Sequence, residues 1–369
     1  MKKIISLILL VMFSTTSAGC WDQKIYEKIG FDLQVGIEPT SDGALLITRS
    51  MPVIGKGALS DMDIIKIKGG LLRETRDKAR LRSPKSAEGG KVQQILISRS
   101  LAEKGIHELL EVFEREFINP VLAYVVIVDG SPYELIETSH KFIDKPIPPF
   151  YINELLRNGI KGGAVPECRI FNYDINYFDP GIDPMLPIIK ISGDGKEIEI
   201  AGSALFSQDK MVGKVTTAET SLLRLMSNRL KKGSTVFYLE GDGEKIKKGA
   251  AVSYQLKSHQ LKVSTDNNKP VVTIKFSLNC ILEEYKWGSI ENPEEKERYE
   301  KLFSKELKDR CNKVLKYTQE VNSDPLGIGD IVRAKENSYW KSVDWSKAYK
   351  DVQFNIEPTI RIVRSGVIK

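Results

Sequence analysis

Histidines and cysteines are the residues of this chain best suited to metal binding or nucleophilic catalysis, and they are few. The three histidines, His107, His140 and His259, lie far apart, and none has a cysteine or carboxylate partner at the spacing that metal sites use. A nucleophile elbow, a phosphate-binding loop, a dinucleotide fingerprint and a Ser-x-x-Lys pair are also missing from the sequence. We therefore predict no catalytic residues, no cofactor, no metal site and no enzymatic activity.

Cys20 is the cysteine whose surroundings predict a chemical modification. A positively charged start, Lys2-Lys3, precedes an apolar run over residues 4–13, and small and polar residues then lead to the cysteine. A run of this length covers about half of the ~30 Å hydrocarbon core of a membrane, which is typical of an export signal and too short for a permanent span. Ser17-Ala18-Gly19, directly before Cys20, resembles the lipobox of bacterial lipoproteins.

The lipobox resemblance implies that residues 1–19 are removed as a signal peptide and that Cys20 becomes an N-palmitoyl, S-diacylglycerol cysteine. Acyl chains of this kind anchor a protein to a membrane without a spanning helix. The formal net charge of +6 is not concentrated in a basic tail, so it does not indicate nucleic-acid binding. Removal of Lys2 and Lys3 with the signal peptide leaves 53 basic and 49 acidic residues, a net charge of +4 that suits an anionic membrane surface.

The other three cysteines, Cys168, Cys280 and Cys311, can form at most one intramolecular disulfide. Cys280 lies on the apolar side of an alternating strand pattern, and Cys311 lies on the apolar stripe of a predicted helix. We expect these three residues to be buried free thiols.

The N-terminal half is predicted to be mixed α/β. A hairpin is expected from strands over residues 31–38 and 44–51. Apolar runs over 92–98 and 121–128 flank a helical pattern over 101–117, which predicts a βαβ unit with adjacent parallel strands. Ser131 is predicted to cap a further helix, with Pro132 at its first position.

Segments 73–85 and 145–190 are harder to interpret from pattern alone. The first is basic and helix-like, and we predict a solvated face, with a lipid-headgroup or partner contact as the alternative. The second is rich in proline and glycine up to residue 187, so we predict an irregular connection with one short helix near 151–157. It could also be a separate small domain.

The C-terminal half is predicted to be an antiparallel sheet packed by a long helix. The helix should begin after Asn292, which is followed by proline and two glutamates. A shorter helix is predicted over 218–230, and a last one near 340–349. The predicted strands cover 198–206, 211–215, 235–239, 252–256, 261–263, 271–282 and 352–362.

Together these patterns predict an α+β protein. The composition, with 41% hydrophobic and 28% charged residues, excludes a disordered chain and a polytopic membrane protein. We predict an N-terminal domain over 20–195 and a C-terminal domain over 196–369, or three domains if 145–190 folds separately. Three tryptophans, Trp287, Trp340 and Trp345, are interpreted as core anchors with a polar handle, with an aromatic ligand cage as the alternative.

Several blocks in this order resemble the Ger(x)C family, the C-subunit lipoproteins of spore-germination nutrient receptors. The resemblance covers nearly the whole chain, and it departs from the family pattern at residues 86–91. The blocks that carry it are Gly19-Cys20-Trp21-Asp22, Ile95-Leu96-Ile97-Ser98, Leu101-Ala102-Glu103-Lys104-Gly105-Ile106, Phe113-Glu114-Arg115, Gly202-Ser203-Ala204-Leu205-Phe206, Asp209-Lys210-Met211-Val212-Gly213, Asp324-Pro325-Leu326-Gly327-Ile328-Gly329, Trp340-Lys341 and Trp345.

The resemblance implies a non-enzymatic germination lipoprotein held through Cys20 at the outer face of the inner spore membrane. There it would assemble with an A-type subunit and a polytopic B-type subunit of a germinant receptor and act in assembly and signalling. The main alternative is a solute-binding lipoprotein of an importer, which calls for two similar α/β lobes around a cleft. A lipid-anchored hydrolase would need a nucleophile–base pair, which the sequence does not offer.

Overall fold

The structure is a computed structural model, and it describes residues 4–5, 29–53, 62–83, 85–115, 121–238, 249–266, 269–285 and 292–364. Cys20 and Trp287 lie outside the described residues. The described chain has the α+β architecture that the sequence predicts, with strands in three sheets.

The strands are β1 (Ile29–Phe31), β2 (Gln34–Pro39), β3 (Leu45–Pro52), β4 (Met62–Gly69), β5 (Ser86–Glu88), β6 (Gln94–Ser98), β7 (Tyr124–Val128), β8 (Met185–Ile191), β9 (Ile198–Ser207), β10 (Lys210–Val215), β11 (Lys232–Tyr238), β12 (Gly249–Asp266), β13 (Lys269–Tyr285) and β14 (Gln353–Arg364). The helices are α1 (Leu72–Arg80), α2 (Arg99–Ala102), α3 (His107–Glu114), α4 (Pro132–Ser139), α5 (Pro148–Gly162), α6 (Ile170–Phe178), α7 (Thr217–Met226), α8 (Pro293–Glu320), α9 (Ile328–Lys335), α10 (Asn337–Ser342) and α11 (Trp345–Ala348), followed by a 3₁₀ turn (Tyr349–Asp351).

An eight-stranded sheet, ordered β10-β9-β8-β7-β6-β2-β3-β4, forms the larger core. Its central strands β2, β6, β7 and β8 are parallel, and β2 and β3 form the predicted hairpin. Every residue of β6 and β7 is buried, as expected for parallel strands covered on both faces. The predicted βαβ unit is confirmed, with its helical part divided into α2 and α3. Ser131 caps α4 by accepting a hydrogen bond from the Glu134 amide at 3.2 Å, as predicted.

The prediction of irregular backbone over 145–190 is wrong except for the short helix expected near 151–157, which lies within α5. This segment contains α5, α6 and most of β8, and β8 is an inner strand of the large sheet. Its prolines lie where helices tolerate them, because Pro148 and Pro149 occupy the first turn of α5 and Gly163 ends that helix with a φ of +86°. The strands β9 and β10 continue the same sheet past residue 195, so the predicted boundary at 195–196 falls within one sheet. The division into two domains there stays a prediction.

The smaller sheet is ordered β11-β12-β13-β14. The predicted strands 252–256 and 261–263 are one strand, β12, and β14 pairs with β13 in parallel rather than antiparallel fashion. Helix α7 ends at Met226 rather than at residue 230, because Asn228 adopts a left-handed φ of +61° and turns the chain into β11. Lys231-Lys232-Gly233, predicted to close the helix, instead leads into this strand.

Helix α8 covers this sheet and confirms the long helix of the prediction. The Asn292 side chain accepts a hydrogen bond from the Glu294 amide at 2.9 Å, so the predicted cap is present. The buried face of α8 includes Phe303, Leu307 and Cys311. All three cysteines of the described chain are buried free thiols, as predicted, and burial raises the pKa of each, to about 12 for Cys280 and Cys311.

Gly202 in β9 gives a direct test of this packing. Its φ is +128°, and a Cβ atom there would lie 2.0 Å from the backbone oxygen of Val215. We expect Gly202→Ala to lower the free energy of unfolding by about 3 kcal/mol, because it adds both backbone strain and a clash with an adjacent strand. Urea unfolding of the two proteins measures this difference. Gly193→Ala is the control, since a Cβ there meets nothing within 4 Å, and equal losses in both variants would contradict the prediction.

Candidate functional site

Asp183 and Asp324 join the two larger sheets, and we call this contact the aspartate junction. Asp183 lies just before β8, and Asp324 lies between α8 and α9. The Asp183 amide donates to the backbone oxygen of Asp324 at 2.9 Å, and the Asp324 amide donates to Oδ2 of Asp183 at 2.8 Å. The other oxygen of Asp183, Oδ1, accepts from the Gln208 amide at 2.9 Å, so the carboxylate also holds the turn between β9 and β10.

The Asp324 carboxylate organises the start of α9. Its Oδ1 accepts from the amides of Gly327 and Ile328 at 3.0 and 3.1 Å. Its Oδ2 accepts from the Gly329 amide at 2.9 Å and from Nε1 of Trp345 at 3.2 Å. A carboxylate beside the N-terminus of a helix satisfies amides that have no partner within the helix and also interacts favourably with the helix dipole.

Two glycines allow the backbones to approach at this junction. A Cβ at Gly329 would lie 2.3 Å from Nε1 of Trp345, and a Cβ at Gly181 would lie 2.3 Å from the Asp330 amide nitrogen. The Gly181 carbonyl accepts a hydrogen bond from that same amide at 3.0 Å. Glycine is therefore required at both positions by close contact.

Burial sets the electrostatics of the junction. Asp324 is only 1% exposed, and burial raises its pKa to about 7 despite the amide donors that favour its charged form. Burial also raises the pKa of Asp183. The hydroxyl of Tyr349 lies behind Asp324, 2.8 Å from the Thr318 hydroxyl, and burial raises its pKa as well.

Arg333 forms a second connection at the rim of the junction. Its Nη2 donates to Oδ2 of Asp179 at 2.8 Å and to Oδ1 of Asp330 at 2.6 Å. Its guanidinium lies 5.8 Å from the centre of the Trp340 ring. Asp179 follows α6 and Arg333 lies on α9, so this pair also joins the N-terminal and C-terminal halves.

A cleft of about 670 Å³ opens beside the aspartate junction. Trp340 and Trp345 line it with ring centres 5.8 Å apart. Trp345 is buried and donates to Asp324, which confirms the interpretation of a core anchor with a polar handle. Trp340 is half-buried, and its ring forms part of the cleft wall. The residues that line the cleft from α6, the segment before β8 and the turn between β9 and β10 are Tyr177, Phe178, Asp179, Pro180, Ile182, Asp183, Ser207 and Gln208.

The histidines are not brought together. His107 stacks on the Tyr177 ring with centres 4.0 Å apart, and Nε2 of His259 lies 2.7 Å from the Met226 carbonyl oxygen. Within the described ranges, no group of three or more histidine, cysteine, aspartate or glutamate side chains could hold a metal ion. No helix among the described residues is long and apolar enough to cross a membrane.

Sequence reasoning missed the aspartate junction. The Asp-Pro-Leu-Gly-Ile-Gly segment was noted only as a family block, although an aspartate three to five residues before glycines and a helix is a capping signal. Nothing local marks Asp183, because its partner is distant in sequence. Cys20, the predicted lipidation site, lies outside the described residues, so that modification stays a prediction.

The raised pKa of Asp324 predicts a pH dependence of stability. Below about pH 4 the Asp324 carboxyl is protonated in the folded and in the unfolded chain. Between about pH 4 and pH 7 the unfolded chain releases this proton, while the folded chain retains it. Rising pH therefore favours unfolding through this group. Relative to Asp324→Asn, we expect the wild-type free energy of unfolding to fall by roughly 2 to 4 kcal/mol over this window and to level off above it.

Urea unfolding of wild type and Asp324→Asn at intervals from pH 4 to pH 8 measures this difference. Asp309→Asn, an exposed position on α8, is the control and should follow the wild type. A difference between wild type and Asp324→Asn that does not change with pH would refute the assignment.

Family models match nearly all of this chain in two parts. "Spore germination protein N-terminal domain" matches residues 22–191, and "Spore germination B3/ GerAC like, C-terminal" matches residues 201–366. The chain is 25% identical to spore germination protein GerQC of Bacillus cereus over 98% of both chains. It is 21% identical to spore germination protein B3 of Bacillus subtilis (strain 168) over 95% of both chains.

The fold is also similar to a solved structure. The crystal structure of the GerBC protein superposes with a TM-score of 0.58 at 19% identity, covering 89% of this chain and 96% of that one. This match supports the α+β fold with more than one domain. With both family models matched in order along the chain, the protein belongs to the Ger(x)C family of spore germination proteins.

Proposed function

We propose that this protein is a lipid-anchored, non-enzymatic subunit of a spore nutrient germinant receptor, acting in assembly and signalling. The observation that carries this proposal is the similarity to germination proteins over nearly the full length of both chains, with 98% coverage each for GerQC. A match of this extent spans both the N-terminal and the C-terminal part of this chain, so the similarity is not confined to one of its sheets.

The chemistry of the cleft beside the aspartate junction supports a role through surfaces. Its most buried acid, Asp324, has both oxygens engaged by backbone amides and an indole, and Asp183 is engaged in the same way. General acid–base catalysis needs a group that can reach a substrate proton, whereas these carboxylates hold the backbone together. The aspartate junction thus serves the relative placement of two sheets.

The proposed setting is the outer face of the inner spore membrane. There the palmitoyl and diacylglycerol groups on Cys20 would hold the mature chain beside an A-type and a polytopic B-type subunit. In this proposal the polytopic partner binds the nutrient. This chain contributes contacts that assemble the receptor and transmit its response.

Cys20→Ala tests the anchor directly. We expect the variant to remain an unacylated precursor that keeps residues 1–19 and to lose germination through this receptor, because the acyl chains that anchor the mature protein are missing. Mass spectrometry of the N-terminal peptide and nutrient-triggered germination are the measurements. Gln23→Ala, three residues later, is the matched control and should behave as wild type. A full nutrient response by unacylated Cys20→Ala would refute the role of the anchor.

Partner capture separates the two candidate classes of function. Epitope-tagged wild-type protein, solubilised from spore inner membranes and analysed by mass spectrometry, should retain A-type and B-type receptor subunits. Recovery of importer subunits in their place would favour the solute-binding alternative.

A further inference from the structure

Helix α6 carries an apolar stripe that faces away from the core. Phe171, Ile175 and Phe178 are spaced four and three residues apart, which places them on one side of the helix. Ile175 and Phe178 are 63% and 66% exposed, while Tyr173 on the opposite side is fully buried. The helix therefore presents apolar side chains on its exposed side as well as on its buried, sheet-facing side.

The segment before β7 extends this stripe into a larger surface. The Phe171 amide donates to the Val121 carbonyl at 3.3 Å, and Nη1 of Arg169 donates to the Leu122 carbonyl at 2.5 Å. Leu122 is 58% exposed and Val121 is 46% exposed. We call these side chains the apolar patch: Val121, Leu122, Phe171, Ile175 and Phe178. None of them carries a charge, and contiguous exposed apolar surface of this kind marks an interaction site.

The apolar patch lies near the N-terminal ends of the parallel strands, where the N-terminal segment enters the large sheet. The first residues of three parallel strands are level with one another, since Gln34 pairs with Gln94 and Gln94 pairs with Tyr124. Leu122 lies two residues before Tyr124, next to these strand ends. Ile29 begins β1, the strand that precedes β2, and the residues 21–28 between Ile29 and Cys20 allow a reach of at most about 30 Å from the anchor.

We infer that the apolar patch inserts into the interface of the lipid bilayer that holds the Cys20 anchor. This inference rests on the proposed function. A chain tethered within about 30 Å of a bilayer meets that apolar phase at a far higher effective concentration than any free partner. Two phenylalanines and an isoleucine on one helix face, with a valine and a leucine on the neighbouring segment and no charge among the five, suit burial at the boundary of headgroups and acyl chains. Arg169 lies beside the patch, and its positive charge would favour contact with the phosphate groups of the lipids.

The test uses the full, acylated protein in vesicles of phosphatidylglycerol and phosphatidylcholine. Ile175→Cys, in the apolar patch, is labelled with an environment-sensitive nitrobenzoxadiazole dye, and Leu122→Cys provides a second position on another element. Val363→Cys on β14 is the matched control, because it is a similarly exposed apolar residue, 57% against 63%, on the other sheet. The native cysteines of the described chain are buried and should not react with the dye.

We expect brominated lipids to quench the dye at positions 175 and 122 about twofold or more and to leave the dye at 363 nearly unchanged. Flotation of the labelled protein with the vesicles reports the anchor separately. Flotation with unquenched dye at 175 and 122 would overturn the patch inference and leave the anchor intact. A dye that is blue-shifted but unquenched would also overturn it if a crosslinking reagent then joins the protein to a second copy, since the patch would be covered by protein. Failure to float would overturn the anchor and this inference together.

Discussion

The architecture of this protein depends on a carboxylate that has been removed from water. Burying Asp324 is costly, and the cost is offset because four N–H groups converge on its two oxygens. Those donors come from the loop before α9 and from Trp345, and the Asp324 backbone is in turn bound to Asp183. Displacing one sheet against the other would break the hydrogen bonds that the Asp183 and Asp324 amides donate across the junction, and would leave these amides without partners. The relative placement of the two larger sheets is therefore strongly constrained at this point.

The parts of the fold that follow local rules could be predicted from the sequence. Strands β6 and β7 are continuous apolar runs, and the caps Ser131 and Asn292 lie directly before prolines at helix starts. The errors arise where tertiary contacts decide. Prolines in 145–190 suggested irregular backbone, yet Pro148 and Pro149 begin α5, and β8 is selected by pairing with β7 and β9 rather than by its own pattern. The parallel pairing of β14 likewise depends on the path of α8 across the sheet.

The candidate site shows the same division. Trp345 could be predicted as a core anchor from its type, because a buried indole needs an acceptor for its N–H. The identity of that acceptor, Asp324, could not be predicted from residue type. The pairing of Asp324 with Asp183 could not be predicted either, since it joins residues 141 positions apart. The family resemblance identified the Asp324 block without its physical role. The close contact of Gly329 with Trp345 explains why this block needs glycine as well as aspartate.

Helix α6 connects the two surfaces that matter most for the proposed function. Its first turn is hydrogen-bonded to the segment 121–123, which lies near the N-terminal ends of the parallel strands. Its last residues, Tyr177 and Phe178, line the cleft beside the aspartate junction. Phe178 belongs both to the apolar patch and to that cleft, and Asp179, the next residue, is bound to Arg333 of α9. Helix α6 therefore contacts both the segment that carries part of the apolar patch and the joint between the two sheets, so one short element connects the proposed membrane contact to that joint.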